Sequence, residues 1–271
     1  MKNQVVLITG ASSGIGMATA RLLQEGGYQV YATARQVEKM KSLGQAGVRL
    51  LAMDVTREES MASAVRTILD EAGRIDVLVN NAGYGSYGAL EDVPMSEARY
   101  QFEVNIFGLA RLIQLVLPAM RRQQSGKIIN VSSIGGRIGE PHGAWYHATK
   151  FALEGLSDSL RMELRQFGIP VVVIQPGAVK TEWNGIARQN LLKVSGHTVY
   201  RGLVQKHSRL LENADRRGSE PVVIARVIEK AIRTSRPKTR YAAGAGASVI
   251  LFLRRLLSDR AFDQLVLSQL K

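Results

Sequence analysis

Tyr146 and Lys150 lie four residues apart in Tyr146-His147-Ala148-Thr149-Lys150, where the pattern predicts the start of a helix running to Phe167. Residues at this spacing share one helix face, so the phenol and the ammonium can enter one cleft. A free tyrosine keeps its proton to about pH 10. A fixed cation nearby favours the phenolate and brings the group toward acid–base work near neutrality. Ser133 follows the strand-like run Lys127–Val131 and supplies a hydroxyl that can hydrogen-bond a reacting oxygen and orient it. Negative charge gathers on a carbonyl oxygen as hydride reaches its carbon, and donors aimed at that oxygen stabilise it. The same tyrosine–lysine spacing also occurs on ordinary solvated helix faces, so it is weak alone.

A second group stands near the amino terminus. Val5-Val6-Leu7-Ile8 runs into Thr9-Gly10-Ala11-Ser12-Ser13-Gly14-Ile15-Gly16, and Met17 to Glu25 continues with helical character. Glycines let a backbone approach a ligand closely, and a helix N-terminus offers free N–H groups and partial positive charge to a pyrophosphate. A plain glycine turn between strand and helix is the alternative; the position in the first strand–helix unit favours a dinucleotide. Where the second strand ends, an acidic residue would accept from the adenosine ribose 2′-hydroxyl of NAD, but the chain reads Tyr31-Ala32-Thr33-Ala34-Arg35. Ala34 cannot accept, and the planar fork of Arg35 suits a 2′-phosphate, so NADP(H) is expected over NAD(H). Stacking on adenine, or capping the strand, is the other reading of Arg35.

The elements that must hold these groups are short β-rich runs alternating with helix-period segments. Val5–Thr9, Gln29–Thr33, Arg49–Met53, Val77–Asn80, Lys127–Val131 and Val171–Gln175 read as strands; Gly14–Glu25, Glu58–Ala72, Glu97–Arg122, Tyr146–Phe167 and Pro221–Thr234 read as helices. Such alternation implies right-handed crossovers and a parallel sheet covered on both faces. The expected fold class is therefore α/β, a single-domain Rossmann fold over residues 1–271: a doubly wound parallel sheet of about seven strands with helices on both faces. Ligands of such sheets bind outside the carboxyl ends of the strands. Between Thr181 and Gly218 the periodicity weakens, with Gly185, Gly196 and Gly202, which suggests a small helical substrate lid over 181–218. Residues 243–271 form an expected C-terminal helical extension. Its segment Ala245–Leu257 mixes aliphatic residues with Arg254 and Arg255. Packing on the lid or on a partner subunit is favoured there over peripheral contact with an anionic membrane.

With 45% hydrophobic and 22% charged residues, the chain can bury a substantial core. The absence of cysteine excludes disulfides and thiolate catalysis, and four scattered histidines argue against a metal site. A net charge of +13 is spread in ones and twos, without a basic tail or nucleic-acid motif, so no nucleic-acid partner is expected. Met1-Lys2-Asn3-Gln4 leads directly into a strand, and no apolar run reaches the roughly 20 residues of a membrane span. Neither a signal peptide nor a transmembrane helix is expected, and the location expected is cytoplasmic.

These motifs together resemble the short-chain dehydrogenase/reductase family from Val5 to about Thr181: the Thr9–Gly16 loop, Asp54-Val55, Asn80-Asn81-Ala82-Gly83, Asn105, Ser133, Tyr146, Lys150, and Pro176-Gly177 through Thr181. The resemblance implies that Asp54 and Val55 hold adenine. It likewise implies that the Asn81-Ala82-Gly83 backbone lines the adenosine ribose and that Val179 and Thr181 lie near the nicotinamide carboxamide. Lys150 would also hold the nicotinamide ribose hydroxyls, and Asn105 would position a water connecting Lys150 to solvent. Tying helix to sheet is the alternative role of Asn105, since buried amides must be hydrogen-bonded. The resemblance gives His142 and His147 no role, and both are read as local structure.

The family implies a small-molecule carbonyl or alcohol substrate and a homodimer or homotetramer built on the helices Glu97–Arg122 and Tyr146–Phe167. Tyr31–Arg35, Phe151-Ala152-Leu153-Glu154-Gly155 and the basic C-terminal extension look like the branch of hydroxysteroid, retinol and acyl-dihydroxyacetone-phosphate reductases, which suggests a bulky lipophilic substrate. Ser12 and Ser13 depart from the NADP-using pattern in supplying no basic residue, which leaves Arg35 as the main expected phosphate contact. A non-catalytic NADP(H)-sensing protein is the competing reading; such a sensor would need the glycine loop but not Ser133, Tyr146 and Lys150. Enoyl reduction is a third, disfavoured because its branch spaces the tyrosine and lysine more widely.

Overall fold

The structure, a computed structural model, describes residues 3–270; Met1 and Lys2, on which the expected lack of a signal peptide partly rests, lie outside the described residues, as does Lys271. In chain order the elements are β1 (Val5–Thr9), α1 (Gly14–Glu25), β2 (Gln29–Ala34), α2 (Lys41–Gln45), β3 (Arg49–Ala52), α3 (Glu58–Ala72), β4 (Val77–Asn80), α4 (Met95–Phe102), α5 (Gly108–Arg122) and β5 (Lys127–Val131). They continue as α6 (Ala144–Leu164), β6 (Val171–Pro176), α7 (Glu182–Ser195), α8 (Arg201–Arg217), α9 (Pro221–Arg233), β7 (Arg240–Ala243), α10 (Ala247–Leu256) and α11 (Asp259–Ser268).

The seven strands form one sheet in the order β3-β2-β1-β4-β5-β6-β7, and every pairing is parallel. The chain winds outward from β1 to β3, then returns to β4 on the other side of β1. The connections after β1 and β4 therefore diverge and open a crevice at the carboxyl end of the sheet. The strands are apolar almost throughout because both faces are covered. Val6 and Ile8 of β1 point into a core shared with Leu23 of α1 and Ile224 and Ile228 of α9. Val5 and Leu7, turned the other way by the pleat, meet Ile68 of α3, Leu112 of α5 and Leu153 of α6. Each fully buried side chain of this kind contributes about 1.5–3 kcal/mol.

The helix expected over Glu97–Arg122 is interrupted by a π-helical turn, Glu103–Phe107, which carries Asn105. Among the described residues Met95–Arg122 is the one helical run long and apolar enough to cross a membrane by length and composition. Its apolar stripe of Leu109, Leu112, Val116 and Met120 is spent in the core. The segment expected as a lid is two helices, α7 and α8; Gly196 ends the first, whereas Gly185 lies within α7 and Gly202 within the first turn of α8.

The seventh strand, Arg-Tyr-Ala-Ala, is partly exposed at the sheet edge and carries no apolar alternation to announce it. Arg240 fastens it to α6 through Glu154 at 2.8 Å and Asp158 at 2.7 Å. In the C-terminal extension α10 packs chiefly on β7 and on the turn after β5, where the sequence suggests the lid or a partner subunit.

Lys127 opens β5 and extends its ammonium to the end of α9, donating to the carbonyls of Ala231, Ile232 and Thr234 at 2.9, 2.6 and 2.8 Å. These are the carbonyls a helix leaves unpaired, at the negative end of its dipole. Lys127→Met is expected to lower the unfolding free energy by about 2–3 kcal/mol, the scale of hydrogen bonds to a charged group. Urea denaturation checks this, and an unchanged midpoint would show that water serves those carbonyls equally well.

Candidate active site

A cavity of about 760 Å³ opens at the carboxyl ends of the strands, with the glycine loop at one end and Tyr146 at the other. At the loop end Thr9 Oγ1 accepts from the N–H groups of Asn81 and Ala82 at 3.0 and 2.9 Å. Asn81 Nδ2 donates back to the carbonyls of Thr9 and Gly10 at 2.9 and 3.0 Å. The loops after β1 and β4 are thus laced together. Gly10 has φ +67°, and a Cβ there would sit 2.7 Å from Ala82 Cα. Ser13, the residue before α1, is extended and makes no side-chain cap, so the first N–H groups of α1 stay free for an anion. Ser12, Ser13, Gly14 and Ile15 line the cavity around this uncapped end, a cradle that fits a dinucleotide pyrophosphate.

Gly16 does not line the cavity, contrary to its expected place among the contacts. Its Cα faces the protein, where a Cβ would lie 2.4 Å from the Gly10 carbonyl, so it permits the close packing of helix on loop. Asp54, Val55, Ala82, Gly83, Pro176, Gly177, Val179 and Thr181 all line the cavity, with Asn81 beside them. Asp54 Oδ1 accepts from the N–H and hydroxyl of Thr56 at 2.9 and 2.8 Å, which fixes the carboxylate. Arg35 is exposed at the rim and donates to the Tyr100 hydroxyl at 3.0 Å. Lys39, absent from the sequence reading, lines the same end. A second cation four residues after Arg35 was the available signal.

At the other end α6 presents Tyr146 and Lys150 together, as their spacing predicts. Lys150 Nζ donates to the Val131 carbonyl at 3.1 Å and lies 5.9 Å from the Tyr146 ring centre. Burial lowers its pKa to about 8, against the opposing charge of Glu154. Tyr146 departs from expectation: burial pushes it up to about 12, with the Ser133 hydroxyl pulling downward and Glu140 adding to the rise. Desolvation dominates, and the phenol keeps its proton. In this state Tyr146 is an acid poised to donate. Ser133 borders the cavity, its oxygen accepting from the Gly135 N–H at 3.0 Å.

Asn105 does not line the cavity. Its Oδ1 accepts from the Tyr84 N–H at 2.8 Å, and its Nδ2 donates to the Tyr84 carbonyl at 2.8 Å and to Thr149 Oγ1 at 3.0 Å. Both donors are committed to tying the π-helical turn to the β4 loop and to α6. That is the strut role left open in the sequence.

The substrate side is walled by residues that no local pattern announces. Trp183 of α7 lies against Gly85, where a Cβ would sit 2.3 Å from the indole. Its ring is 4.9 Å from Tyr146 and 5.7 Å from Tyr87, centre to centre. Ile138, Ile186, Leu210 and Leu211 complete an apolar wall. Tyr87 donates its hydroxyl to Glu140 Oε1 at 2.8 Å. His147 Nδ1 lies 2.9 Å from the Gly135 carbonyl, which supports its reading as local structure. His142, held at φ +63°, pairs through Nδ1 with Nδ1 of His207 on α8 at 3.0 Å. Burial and the His207 charge lower the His142 pKa to about 4, although Glu140 and Asp92 oppose them. Among the described residues no cluster of three or more His, Cys, Asp or Glu side chains could hold a metal.

The family model for short chain dehydrogenase matches residues 4–191. The 3-ketodihydrosphingosine reductase of Bacteroides thetaiotaomicron is 39% identical over 251 residues, covering 92% of this chain and 91% of its own. Retinol dehydrogenase 8 of Bos taurus is 35% identical, covering 93% of this chain and 85% of its own. The crystal structure of a short-chain dehydrogenase from Streptomyces avermitilis matches with a TM-score of 0.84 at 35% identity, over 96% of this chain and 95% of that one. A metagenomic short-chain oxidoreductase in complex with NADP matches at 30% identity with a TM-score of 0.70, over 89% of this chain and 96% of that one. A match spanning most of the sheet and the whole crevice, in sequence and in fold, makes the chain a member of the short-chain dehydrogenase family of oxidoreductases.

Proposed function

We propose that this protein is an NADP(H)-dependent oxidoreductase interconverting a carbonyl and an alcohol on a lipophilic small molecule. The observation that carries the reading is one cavity with a protonated, buried Tyr146 beside Lys150 and Ser133 at one end and an uncapped helix N-terminus with two cations at the other. Bound there, a nicotinamide cofactor supplies or accepts the hydride. Tyr146 then gives its proton to the carbonyl oxygen, Ser133 orients that oxygen, and the Lys150 ammonium stabilises the phenolate left behind.

Gly10, Ser12, Ser13, Gly14 and Ile15 cradle the pyrophosphate in this reading. Asp54 and Val55 hold the adenine end, Asn81, Ala82 and Gly83 the adenosine ribose, and Pro176, Gly177, Val179 and Thr181 the nicotinamide end. Residues 181–218 serve as the lid. The names of two relatives, a 3-ketodihydrosphingosine reductase and a retinol dehydrogenase, support a lipophilic substrate, as does the apolar wall of the cavity. A homo-oligomer built on α4–α5 and α6 would cover Phe107, Phe151 and Met162, which are exposed in the single chain. A monomeric mass in sedimentation equilibrium would sink that assembly.

The direct test is absorbance-monitored oxidation of NADPH and of NADH with a panel of lipophilic ketones and aldehydes. Turnover preferring NADPH is expected; tight NADPH binding with no carbonyl reduced would favour the sensing protein. Arg35→Asp removes a charged phosphate partner and supplies an acceptor for a ribose hydroxyl. It should lower kcat/KM with NADPH by about 10–100-fold and raise it with NADH, since one hydrogen bond to a charged group is worth about 1.5–3 kcal/mol. Equal effects on both cofactors would assign Arg35 to adenine stacking instead.

A further inference from the structure

We propose that α10 seats this protein on an anionic lipid surface, its exposed apolar stripe entering the headgroup layer while the arginine beside it meets lipid phosphate. The inference concerns a surface outside the cavity and does not rest on the reductase reading.

Val249, Phe252 and Leu256 are 63%, 64% and 68% exposed. At about 100° per residue these three positions fall within about 60° of arc on one face of α10. The far side is the one that packs: Ala247 is buried there, and Ile250, Leu251 and Arg254 are partly covered. An amphipathic helix ordinarily spends its apolar stripe on the core. α10 turns this one outward, so the packing favoured from the sequence leaves the stripe without a partner in the chain. A contiguous apolar patch of this kind marks a surface that meets something else.

The charges choose the occupant. α10 carries no acidic residue, and Arg255 borders the stripe, exposed and in no ion pair among the described residues. Arg254, on the packed side, is instead neutralised by Asp259 at 2.6 Å. Asp259 and Asp263 line a hollow that Arg254 also lines, away from the stripe. Arg260, at the start of α11, is exposed. A second copy seated stripe on stripe would therefore bring Arg255 against a helix with no acid to pair with it. An anionic bilayer offers an acyl boundary for Phe252 and Leu256 and phosphates for Arg255. The net charge of +13 draws the chain toward such a surface.

The place of α10 in the fold gives this contact a use. Gly177 and Ala178, in the cavity wall, donate their N–H groups to the carbonyls of Ala243 and Ala245 at 2.8 and 3.1 Å, and α10 begins at Ala247. Docking through α10 thus holds the cavity close to the lipid phase, where apolar molecules concentrate.

Co-sedimentation of the full chain with vesicles tests the surface without turnover. One set is phosphatidylcholine alone, the other equimolar phosphatidylcholine and phosphatidylglycerol. Wild type should partition at least about tenfold more strongly onto the anionic vesicles, since each cation near such a surface is worth about fivefold. Phe252→Ser and Leu256→Ser together should lower that binding at least about tenfold, because the apolar insertion is lost. Both side chains are exposed, and a folding defect would uncover apolar surface and raise vesicle binding instead. Arg255→Gln, as a second variant, should cost about fivefold on anionic vesicles and nothing on phosphatidylcholine. Absence of wild-type binding to anionic vesicles would overturn the proposal. So would undiminished binding in the double serine variant, which would assign the attraction to overall charge alone. A double variant that binds vesicles like wild type but sediments as a smaller species would give the stripe to a second copy.

Discussion

Tyr146→Phe should reduce kcat for carbonyl reduction by about 10²–10⁴-fold, the range of a positioned general acid, with little change in cofactor affinity. The phenyl ring keeps the packing against Tyr87, Trp183 and His147, so the cavity retains its shape and only the hydroxyl is lost. Because burial holds the phenol at about 12, it is fully protonated at neutral pH and serves reduction without first acquiring a proton. In the oxidising direction the same group must give up that proton before it can act as base, so the reaction run that way should accelerate with rising pH. Stopped-flow single turnovers with a reducible ketone separate the chemical step from cofactor release. Near-wild-type turnover in the phenylalanine variant would remove Tyr146 from the chemistry.

Lys150→Met should cost about 10²–10³-fold in kcat/KM, comparable to deleting one donor that stabilises developing negative charge. The buried ammonium sits 5.9 Å from the phenol ring and is anchored to the Val131 carbonyl, so its charge is fixed beside the oxygen that becomes phenolate. Its pKa of about 8 gives the prediction a pH signature. Below pH 8 the lysine is charged and kcat/KM for reduction should be level. Above it the charge is lost and the rate should fall about tenfold per pH unit, a break that Tyr146 at about 12 does not supply. The methionine variant should show a low, flat profile over the same range.

Stability moves the other way. The unfolded chain holds this proton to 10.5, so between about pH 8 and 10.5 it binds more protons than the folded one, and raising pH there favours folding through this group. A rate loss above pH 8 therefore cannot be ascribed to unfolding driven by Lys150. A profile unchanged by the substitution would place the titrating group elsewhere.

Local rules made much of this molecule legible. A strand followed by glycines and a helix has one economical use, and the structure builds the uncapped helix end that the loop implied. The spacing of Tyr146 and Lys150 fixed their common face, because a helix repeats its neighbours every turn. The first six strands declared themselves by runs of Val, Ile and Leu covered on both faces. The seventh, Arg-Tyr-Ala-Ala, did not, since an edge strand held by Arg240 to α6 needs no apolar alternation.

What tertiary structure alone decided is the part of the site assembled from distant segments. Gly16 and Asn105 belong to family motifs, yet one faces Gly10 and the other ties Tyr84 to Thr149, and only packing reveals that neither borders the cavity. Likewise the sequence supplied a lysine beside Tyr146 but not the burial that raises the phenol's pKa, because desolvation depends on everything packed around a group. Glu140, Tyr87, Trp183 and His207 carry no periodicity or spacing toward one another. They meet because the connections after the neighbouring strands β4 and β5 run side by side, bringing Glu140 to Tyr87 across 53 positions, and the lid helices fold back over them, bringing His207 to His142 across 65. The sequence by itself thus determined the sheet, the loop and the proton-transfer pair, which short-range geometry dictates. The substrate recess arose only from long-range closure, whose contacts are set by the shape of the folded whole.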